Sequence, residues 1–571
     1  LPANKNWRIP KTPGSILSGN CVAMIPVPNA TTPNPPDQAQ RDLIRNALDT
    51  NLLVEAAAGT GKTTSLIGRM IELLGAGKCS IETLAAVTFT RKAAGELRSR
   101  FQIGLEQAAR EADVPRRQRF QEALGKIERG FIGTIHSFCG QLLRERPVEA
   151  EVDVAFEEID DPTDTLLRQE VWEEYIACLY TRGDPRLAAL RERGLEIRPL
   201  YKTFALLADY PDVEEWPAPD IPLPDTQSAV AALREYVAHM EKLLPTLPAD
   251  PGNDTIMPLY KKIPRMWRQA APGDESDLME ILSLFKEKKN GDVIRKNWPG
   301  KKEQAEAERE RWNEFAVTVA APLVEIWQAR RYAAIMQIIR PALELYEQRK
   351  QELGQLNFQD LLMKTARLLR GHPAVRGYFS RRWTHLLVDE FQDTDPIQAE
   401  VMLLLTATDP HETDWRKCVP RPGSLFVVGD PKQSIYRFRR ADIVTYNQVK
   451  RVIEETGGEV IQLDANFRTI PPILDWVNQA FAKAFPPRAD EYSPVYIPLR
   501  PGKSAHDQNL ATSVQILLHA DEMKNKELCL KYETDFIARH IRQAISRGEA
   551  APGDFLIVTY KTKNSTHLTT S

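Results

Sequence analysis

Leu52-Leu53-Val54-Glu55-Ala56-Ala57-Ala58-Gly59-Thr60-Gly61-Lys62-Thr63-Thr64 is the stretch that decides the fold. Its first four residues read as a short buried strand that runs directly into a loop of small residues. From Thr63 the apolar residues Leu66, Ile67, Met70, Ile71 and Leu74 recur on one helical face. Strand, small-residue loop and helix in that order make the setting a phosphate-binding loop needs. Small side chains let backbone N–H groups crowd around phosphate oxygens, and the helix N-terminus adds its partial positive charge. The bland alternative is a tight glycine turn that merely starts a helix.

On the phosphate-loop reading, Ala56, Ala57, Ala58, Gly59, Thr60, Gly61, Lys62, Thr63 and Thr64 form an ATP site. Lys62 reaches the β- and γ-phosphates, and the Thr63 hydroxyl goes to Mg²⁺. The strict pattern opens on glycine; Ala56 stands there instead, small enough not to fill the loop.

Working outward, further apolar runs at 83–89, 131–135, 385–389 and 424–429 alternate with helical patterns. That alternation predicts α/β architecture: a parallel sheet with helices on both faces, built around the phosphate loop. Residues 151–345 differ. They are long, charged, helix-period segments broken by proline-rich stretches such as 216–224, and they read as a large helical insertion. The expected organisation is a disordered leader at 1–36, a first α/β domain at 37–150 and 346–442 around that insertion, and the incomplete start of a second α/β domain at 443–571. Apolar runs at 460–463 and 554–558 are the expected opening strands of that second domain.

Leu386-Leu387-Val388-Asp389-Glu390 is an apolar strand ending in two acids. Hydrolysis of Mg·ATP needs one carboxylate in the metal shell and another to orient or deprotonate the attacking water. The C-terminal edge of a parallel sheet is where such a pair can serve both needs. Asp389 is the candidate metal ligand and Glu390 the candidate general base.

A chain of 571 residues is too long for one ordinary core, so about three or four domains are expected. Its net charge is −3, so any nucleic-acid contact must come from a local basic lining. The six cysteines lack C-x-x-C or ligand spacing, which reads as reduced thiols of a cytoplasmic protein without a zinc or iron–sulfur site. No apolar run is long enough to span a bilayer, and no membrane partner is expected.

Asp389-Glu390-Phe391-Gln392-Asp393-Thr394 resembles the D-E-x-Q-D-T signature of superfamily 1 helicases of the UvrD/Rep/RecB type, and other segments fall in that family's order. Gln40-Arg41 resembles its Q motif, which implies that Gln40 reads the adenine. Residues 88–97, opening Thr88-Phe89-Thr90-Arg91-Lys92, look like a segment that touches single-stranded DNA, with Arg91 where the usual pattern has Asn. Gly133-Thr134-Ile135-His136-Ser137-Phe138 is similar to a second DNA-contact segment, and Phe358-Gln359-Asp360-Leu361-Leu362 to the short motif before the acidic strand. Residues 428–439 resemble the stretch that couples the γ-phosphate to stacked bases. By that resemblance Gln433 is the phosphate sensor and Phe438 the stacking aromatic, where relatives often have Trp. Asn466-Phe467-Arg468-Thr469 looks like the motif whose arginine, here Arg468, reaches the γ-phosphate from the second motor domain. The phosphate loop and the Thr-Ile-His-Ser-Phe-Cys run stand closer to the RecB/AddA branch than to UvrD itself.

Chemistry independent of the resemblance allows the same roles. Bases in a single strand expose π-faces on which Phe89, Phe138, Tyr436 and Phe438 could stack, and Arg91, Lys92 and Arg439 could neutralise phosphates. Each aromatic also has a reading as a core residue at a strand end. His136, with Ser137, reads as DNA contact or loop hydrogen bonding rather than catalysis. In the insertion, Tyr260-Lys261-Lys262, Arg265-Met266-Trp267-Arg268 and Lys286-Glu287-Lys288-Lys289 could be a DNA-contacting arm or a solvated helical face.

The expected activity is therefore an ATP-dependent 3′→5′ DNA helicase of recombination and repair. It would act on single-stranded DNA and single-strand/duplex junctions, with nuclease or recombination proteins as possible partners. A rival reading is a nucleotide-switched DNA-binding module without translocation. A P-loop kinase is disfavoured, because Gln433, Phe438 and Arg468 would have no role in it. The family's later motifs are not found in the sequence, so the chain reads as a fragment or a prematurely ended gene product.

Overall fold

Strand residues that alternate between two apolar cores dictate the centre of the molecule. In the computed structural model, which describes residues 34–213, 216, 221, 225–270, 275–286, 293–437, 440–502, 514, 517 and 526–558, six parallel strands form one sheet. The chain enters through α1 (Gln38–Asn46), β1 (Leu52–Ala56), α2 (Lys62–Gly75), β2 (Leu84–Thr88), α3 (Arg91–Glu111), α4 (Val114–Gly125), β3 (Phe131–Thr134) and α5 (Ile135–Glu145). A two-residue strand, β4 (Glu157–Glu158), leads into the insertion.

Among the described residues eight helices follow: α6 (Asp161–Arg182), α7 (Pro185–Arg191), α8 (Leu200–Ala208), α9 (Thr226–Leu243), α10 (Met257–Gln269), α11 (Glu275–Lys286), α12 (Lys301–Phe315) and α13 (Ala321–Glu352). The chain returns through β5 (Gln355–Leu356), α14 (Phe358–Gly371), α15 (Pro373–Arg382), β6 (His385–Val388), α16 (Pro396–Thr406), β7 (Leu425–Gly429), α17 (Ile443–Glu455) and β8 (Glu459–Leu463). Beyond it lie β9 (Ala465–Asn466), α18 (Pro471–Ala484), β10 (Arg500–Pro501) and α19 (Lys526–Ser546).

Sheet order is β3-β2-β6-β7-β1-β8. Leu53, Ala85, Val87, Leu386, Val388, Leu425 and Val427 point to the core shared with α5, α14, α16 and α17. Their neighbours Leu52, Val54, Leu84, Ala86, Leu387, Phe426 and Val428 point to the core under α1, α2, α3 and α4. This is the period of two expected of strands covered on both faces. Glu55 is buried in β1, where Lys450 Nζ donates to its Oε1 at 2.7 Å and offsets part of the cost of burying the carboxylate.

Two expectations about organisation fail. The run at 460–463 does not open a second sheet: β8 pairs in parallel with β1 from Leu52↔Glu459 to Ala56↔Leu463. Ile461 and Leu463 find burial there, against the α1 and α2 core. The first sheet therefore extends past the boundary expected at 443. The run at 554–558 is not a strand: Pro552–Asp554 is a short 3₁₀ turn, and Leu556 and Val558 are exposed. An apolar run becomes a strand only where an edge is present to pair with it.

The insertion is helical as expected, with two cores of its own. One centres on Trp298, Trp312, Tyr260 and Phe285, the other on Val171, Phe204, Ile338 and Tyr346. Local signals set its first helix: the Asp160 side chain caps α6 by accepting from Thr163 N, and Gly183 ends it at φ 61°. The expected end at 345 falls inside α13, which continues to Glu352. Entry and exit are pinned side by side by the parallel pairs Glu157↔Gln355 and Glu158↔Leu356. On α10, Tyr260 and Ile263 sit in the core while Lys261, Lys262, Arg265 and Arg268 are exposed. Residues 287–289 of the expected basic stretch lie outside the described residues.

Candidate active site and nucleic-acid interface

The nucleotide loop leaves β1 at its C-terminal end. Ala56 is the last strand residue and fully buried, opposite Leu463, so the loop proper starts at Ala57. That explains why alanine serves where the strict pattern has glycine: the position is extended strand. Left-handed backbone is required at Gly59 (φ 76°) and Gly61 (φ 87°), and both are glycine. A Cβ on Gly59 would also meet Arg468 Cβ and Asn466 Nδ2 at 2.7 Å. Thr60 Oγ1 donates to Ala57 O at 2.7 Å and holds the loop's turn. Lys62 and Thr63 are the first residues of α2, whose N-terminus has no side-chain cap, leaving its N–H groups to face an anion.

Across the loop, the acid pair Asp389-Glu390 follows directly on β6. Lys62 Nζ donates to Glu390 Oε2 at 2.8 Å. Gln392 Nε2 donates to the same oxygen at 2.7 Å. Burial pushes the Glu390 carboxyl up, but the Lys62 charge, these two hydrogen bonds and the Arg468 charge outweigh it and hold it below its ordinary value. Asp389, buried beside it, is pushed up to about 6 by burial and by the Glu390 charge. Asp393 is likewise pushed up to about 6 by the same two causes, and its Oδ1 has no hydrogen-bond partner among the described residues. Two neighbouring acids pushed toward protonation around a charged glutamate are what a divalent cation would relieve.

Gln433 is joined to the acid pair through residues to which the motifs alone assign no role. Gln433 Nε2 donates to Asp430 Oδ2 at 2.8 Å. The Asp430 backbone N–H donates to Gln392 Oε1 at 2.8 Å, and Gln392 reaches Glu390. Lys432 Nζ lies 2.8 Å from Asp430 Oδ1. Gly429 is glycine because a Cβ there would meet Gln392 Oε1 at 2.7 Å. Asp430 and Gln392 are visible in the sequence motifs; their partners are not.

The Asn466–Arg468 segment closes over the loop. Asn466 Nδ2 donates to Ala58 O at 2.6 Å, and Phe467 N donates to Gly59 O at 2.9 Å. From α1, Arg41 donates to Thr60 O at 2.9 Å, pairs with Asp37 at 2.7 Å, and lies over the Phe467 ring at 4.9 Å. Asp37 in turn accepts from Ala465 N at 3.0 Å. Gln40 is exposed on the same helix. Arg41 and Asp37, close to the expected Gln40, thus carry the contacts to the loop.

Of the expected DNA-facing residues, Phe89 is half-buried with its ring 5.4 Å from that of Tyr436. Thr90, Arg91 and Lys92 are exposed at the start of α3, where Thr90 Oγ1 accepts from Ala93 N. Ser137 is exposed and caps α5 with Thr134. His136 lies 5.2 Å from the Phe358 ring, and burial pulls its pKa down to about 4 against the opposing field of Glu158. Two residues are corrected. Phe138 is fully buried, edge-on to Trp383 at 5.5 Å and 4.9 Å from Phe131. Thr88 is 3% exposed at the end of β2. Both are core, because their positions on β2 and α5 face inward. Phe438 and Arg439 lie outside the described residues.

A model of the UvrD/REP helicase N-terminal domain matches residues 37–454. The chain belongs to the UvrD/REP helicase family. Among curated proteins of this family it is 26% identical over 559 residues to an ATP-dependent helicase/nuclease subunit from Syntrophomonas wolfei, covering 89% of this chain and 43% of that protein. The proteins of the same name from Bacillus pumilus (27% over 583 residues; 92% and 46%) and Geobacillus thermodenitrificans (27% over 500 residues; 76% and 38%) are similar to it as well. The chain spans less than half the length of these UvrD/REP-family relatives. Among the described residues no helix is long and apolar enough to cross a membrane.

Proposed function

We propose that this chain is the front end of an ATP-driven DNA motor that moves 3′→5′ along single-stranded DNA in recombination and repair. The observation that carries the reading is the Lys62–Glu390 contact of 2.8 Å, with Asn466 and Arg468 folded onto the same loop. Lys62 and the free N–H groups of α2 hold the phosphates, and Glu390, kept ionised by Lys62, is the base that orients water. Gln433, linked through Asp430 and Gln392 to Glu390, senses the γ-phosphate, and Arg468 meets it from the facing segment.

Thr63 and Asp389 supply two hard oxygen donors. That set fits Mg²⁺, which takes few protein ligands and completes its shell from phosphate and water. When bound, Mg²⁺ would neutralise charge developing on the β- and γ-phosphates.

Phe89, Tyr436, Arg91 and Lys92 form the single-strand face of the same reading, and a single-strand/duplex junction is its substrate. The relatives' printed name, which calls each of them one subunit of a helicase/nuclease, supports a nuclease activity and a further protein partner in the whole assembly. The division of the chain follows: a first motor domain interrupted by the helical insertion, and a second domain entered after β8. A cytoplasmic location goes with that role.

The test is steady-state ATP hydrolysis with and without single-stranded DNA, followed by strand displacement on 3′-tailed and 5′-tailed duplexes by the motor together with its partner protein. DNA-stimulated turnover with 3′-tail preference is expected. Stoichiometric ATP binding without stimulated turnover would favour the nucleotide-switched binding module instead.

A further inference from the structure

Arg440 sits where three parts of the molecule meet, and neither the nucleotide chemistry nor DNA stacking uses it. It follows the phosphate-sensing loop, with its backbone N–H bonded to Arg437 O, and two residues later Asp442 N donates to Thr394 O of the acidic-strand loop. Its φ is 70°, a conformation glycine adopts freely and arginine does not. The side chain crosses to the helical insertion. There it pairs with Asp212, donates to Asp209 O at 3.4 Å, and lies over the Tyr210 ring at 5.1 Å. Its charge also reaches buried Asp395 at the start of α16.

The contact continues into the insertion and back to the motor. Asp209 Oδ1 accepts from Arg168 at 2.6 Å, and Arg168 pairs with Asp164 at 2.5 Å. Tyr346 on α13 donates to Asp164, and Asn357 Nδ2 donates to Tyr346 Oη at 3.2 Å. Asn357 caps α14, whose first residue, Phe358, faces His136 of the expected DNA-contact segment. Elsewhere this seam is open: a cavity of about 1420 Å³ is lined by Leu207, Tyr210, Trp216, Lys364 and Arg367. With so much of the seam unpacked, its polar crossings (Arg440 to Asp209 and Asp212, Asn357 to Tyr346, and the buried Lys350–Asp360 pair) carry weight in setting how the insertion sits, and of these Arg440 is the one that follows the phosphate-sensing loop.

We propose that Arg440 is a positioning residue, a strap by which the state of the phosphate-sensing loop sets the placement of the helical insertion, coupling nucleotide binding to DNA affinity. This rests on the motor reading above. A shift of the Asp430–Gln433 loop moves Arg440 and, through Asp209 and Asp212, the end of α8. Coupling between two sites is a measurable and reciprocal quantity, and a chain of contacts is a pathway only if breaking it changes that quantity.

The experiment uses the full chain with Mg²⁺, a non-hydrolysable fluorescent ATP analogue and an oligothymidylate, and measures each affinity with and without the other ligand. In the unmodified chain the two affinities are expected to be linked by about fivefold or more, and hydrogen exchange across 200–213 to change when the analogue is added. Arg440→Gly keeps the backbone at ease while removing the side chain. It should leave each separate affinity and the melting temperature unchanged, yet bring the linkage toward one and abolish the exchange response at 200–213. Arg440→Asp should behave likewise, and Arg440→Asp with Asp212→Arg should restore the linkage. Full linkage in Arg440→Gly, or no restoration in the charge swap, overturns the strap. If the unmodified chain binds neither ligand, the motor reading falls and the strap with it; if it binds both without linkage, the strap alone falls.

Discussion

Lys62 Nζ lies 2.8 Å from Glu390 Oε2, joining the first residue of α2 to the second residue past β6, 328 positions away in sequence. A phosphate held by Lys62 would therefore lie beside Glu390, the proposed base. Glu390 is about one-third exposed, with a side-chain exposure of 36%, so the pair itself contributes little to the fold, about 0–1 kcal/mol. Lys62→Ala is expected to lower ATP turnover by roughly 10²-fold or more while shifting stability by under about 1 kcal/mol. Parallel turnover assays and thermal melts of the intact motor check this. Turnover retained at the unmodified level would remove the nucleotide loop from the mechanism.

Glu390→Gln removes the proposed base but keeps an oxygen to receive Lys62. Nucleotide affinity should hold while hydrolysis slows by roughly 10²–10⁴-fold. Asp389→Ala should instead cost Mg²⁺-dependent affinity, read by titrating the nucleotide at increasing Mg²⁺. If both variants lose affinity equally, the two acids do not divide the work as proposed.

Phe138 and Tyr436 separate core from surface. Phe138→Ala deletes a ring packed on Phe131 and Trp383, so a loss of about 3–5 kcal/mol in stability is expected. Tyr436→Ala, half-buried beside Phe89, should weaken single-stranded DNA binding by about 1–3 kcal/mol with a small change in melting temperature. Denaturant melts and oligonucleotide titrations on both variants distinguish the roles; the opposite pattern would exchange the assignments.

His136 gives a pH dependence of defined sign. Burial pulls its folded pKa down to about 4, below the ordinary 6.5. The unfolded chain therefore binds more protons between those values, and stability rises with pH across that window. The contribution is complete above about 6.5 and lost as pH falls toward about 4. His385, pulled down to about 4 mainly by burial, adds to the same slope. His136→Gln should flatten the slope of melting temperature against pH between about 4 and 6.5. An unchanged slope would place the His136 ring in water.

Much of this molecule was legible because its signals are local. Consecutive residues spell the strand, loop and helix of the nucleotide site, and the two glycines stand where the backbone turns left-handed. The acid pair was expected to end its strand and instead follows it directly, since β6 stops at Val388 and Glu390 turns left-handed at φ 52°; the insertion announces itself by a change of period and charge.

What the chain order could not show is which distant surfaces meet. The run at 460–463 has the composition of a strand, but only the free edge of β1 decided that it completes the first sheet. Phe89 and Phe138 have the same side chain in similar motifs; the direction each faces from β2 and α5 made one a neighbour of Tyr436 and the other core. The sequence assigns no role to Arg440 and names Arg41 only beside Gln40; folding brings Phe467 and Thr60 to Arg41, and Asp212 and Tyr210 to Arg440. Backbone conformation follows from near neighbours, which the sequence states. Side-chain partnership depends on elements hundreds of residues apart, and only packing brings those together.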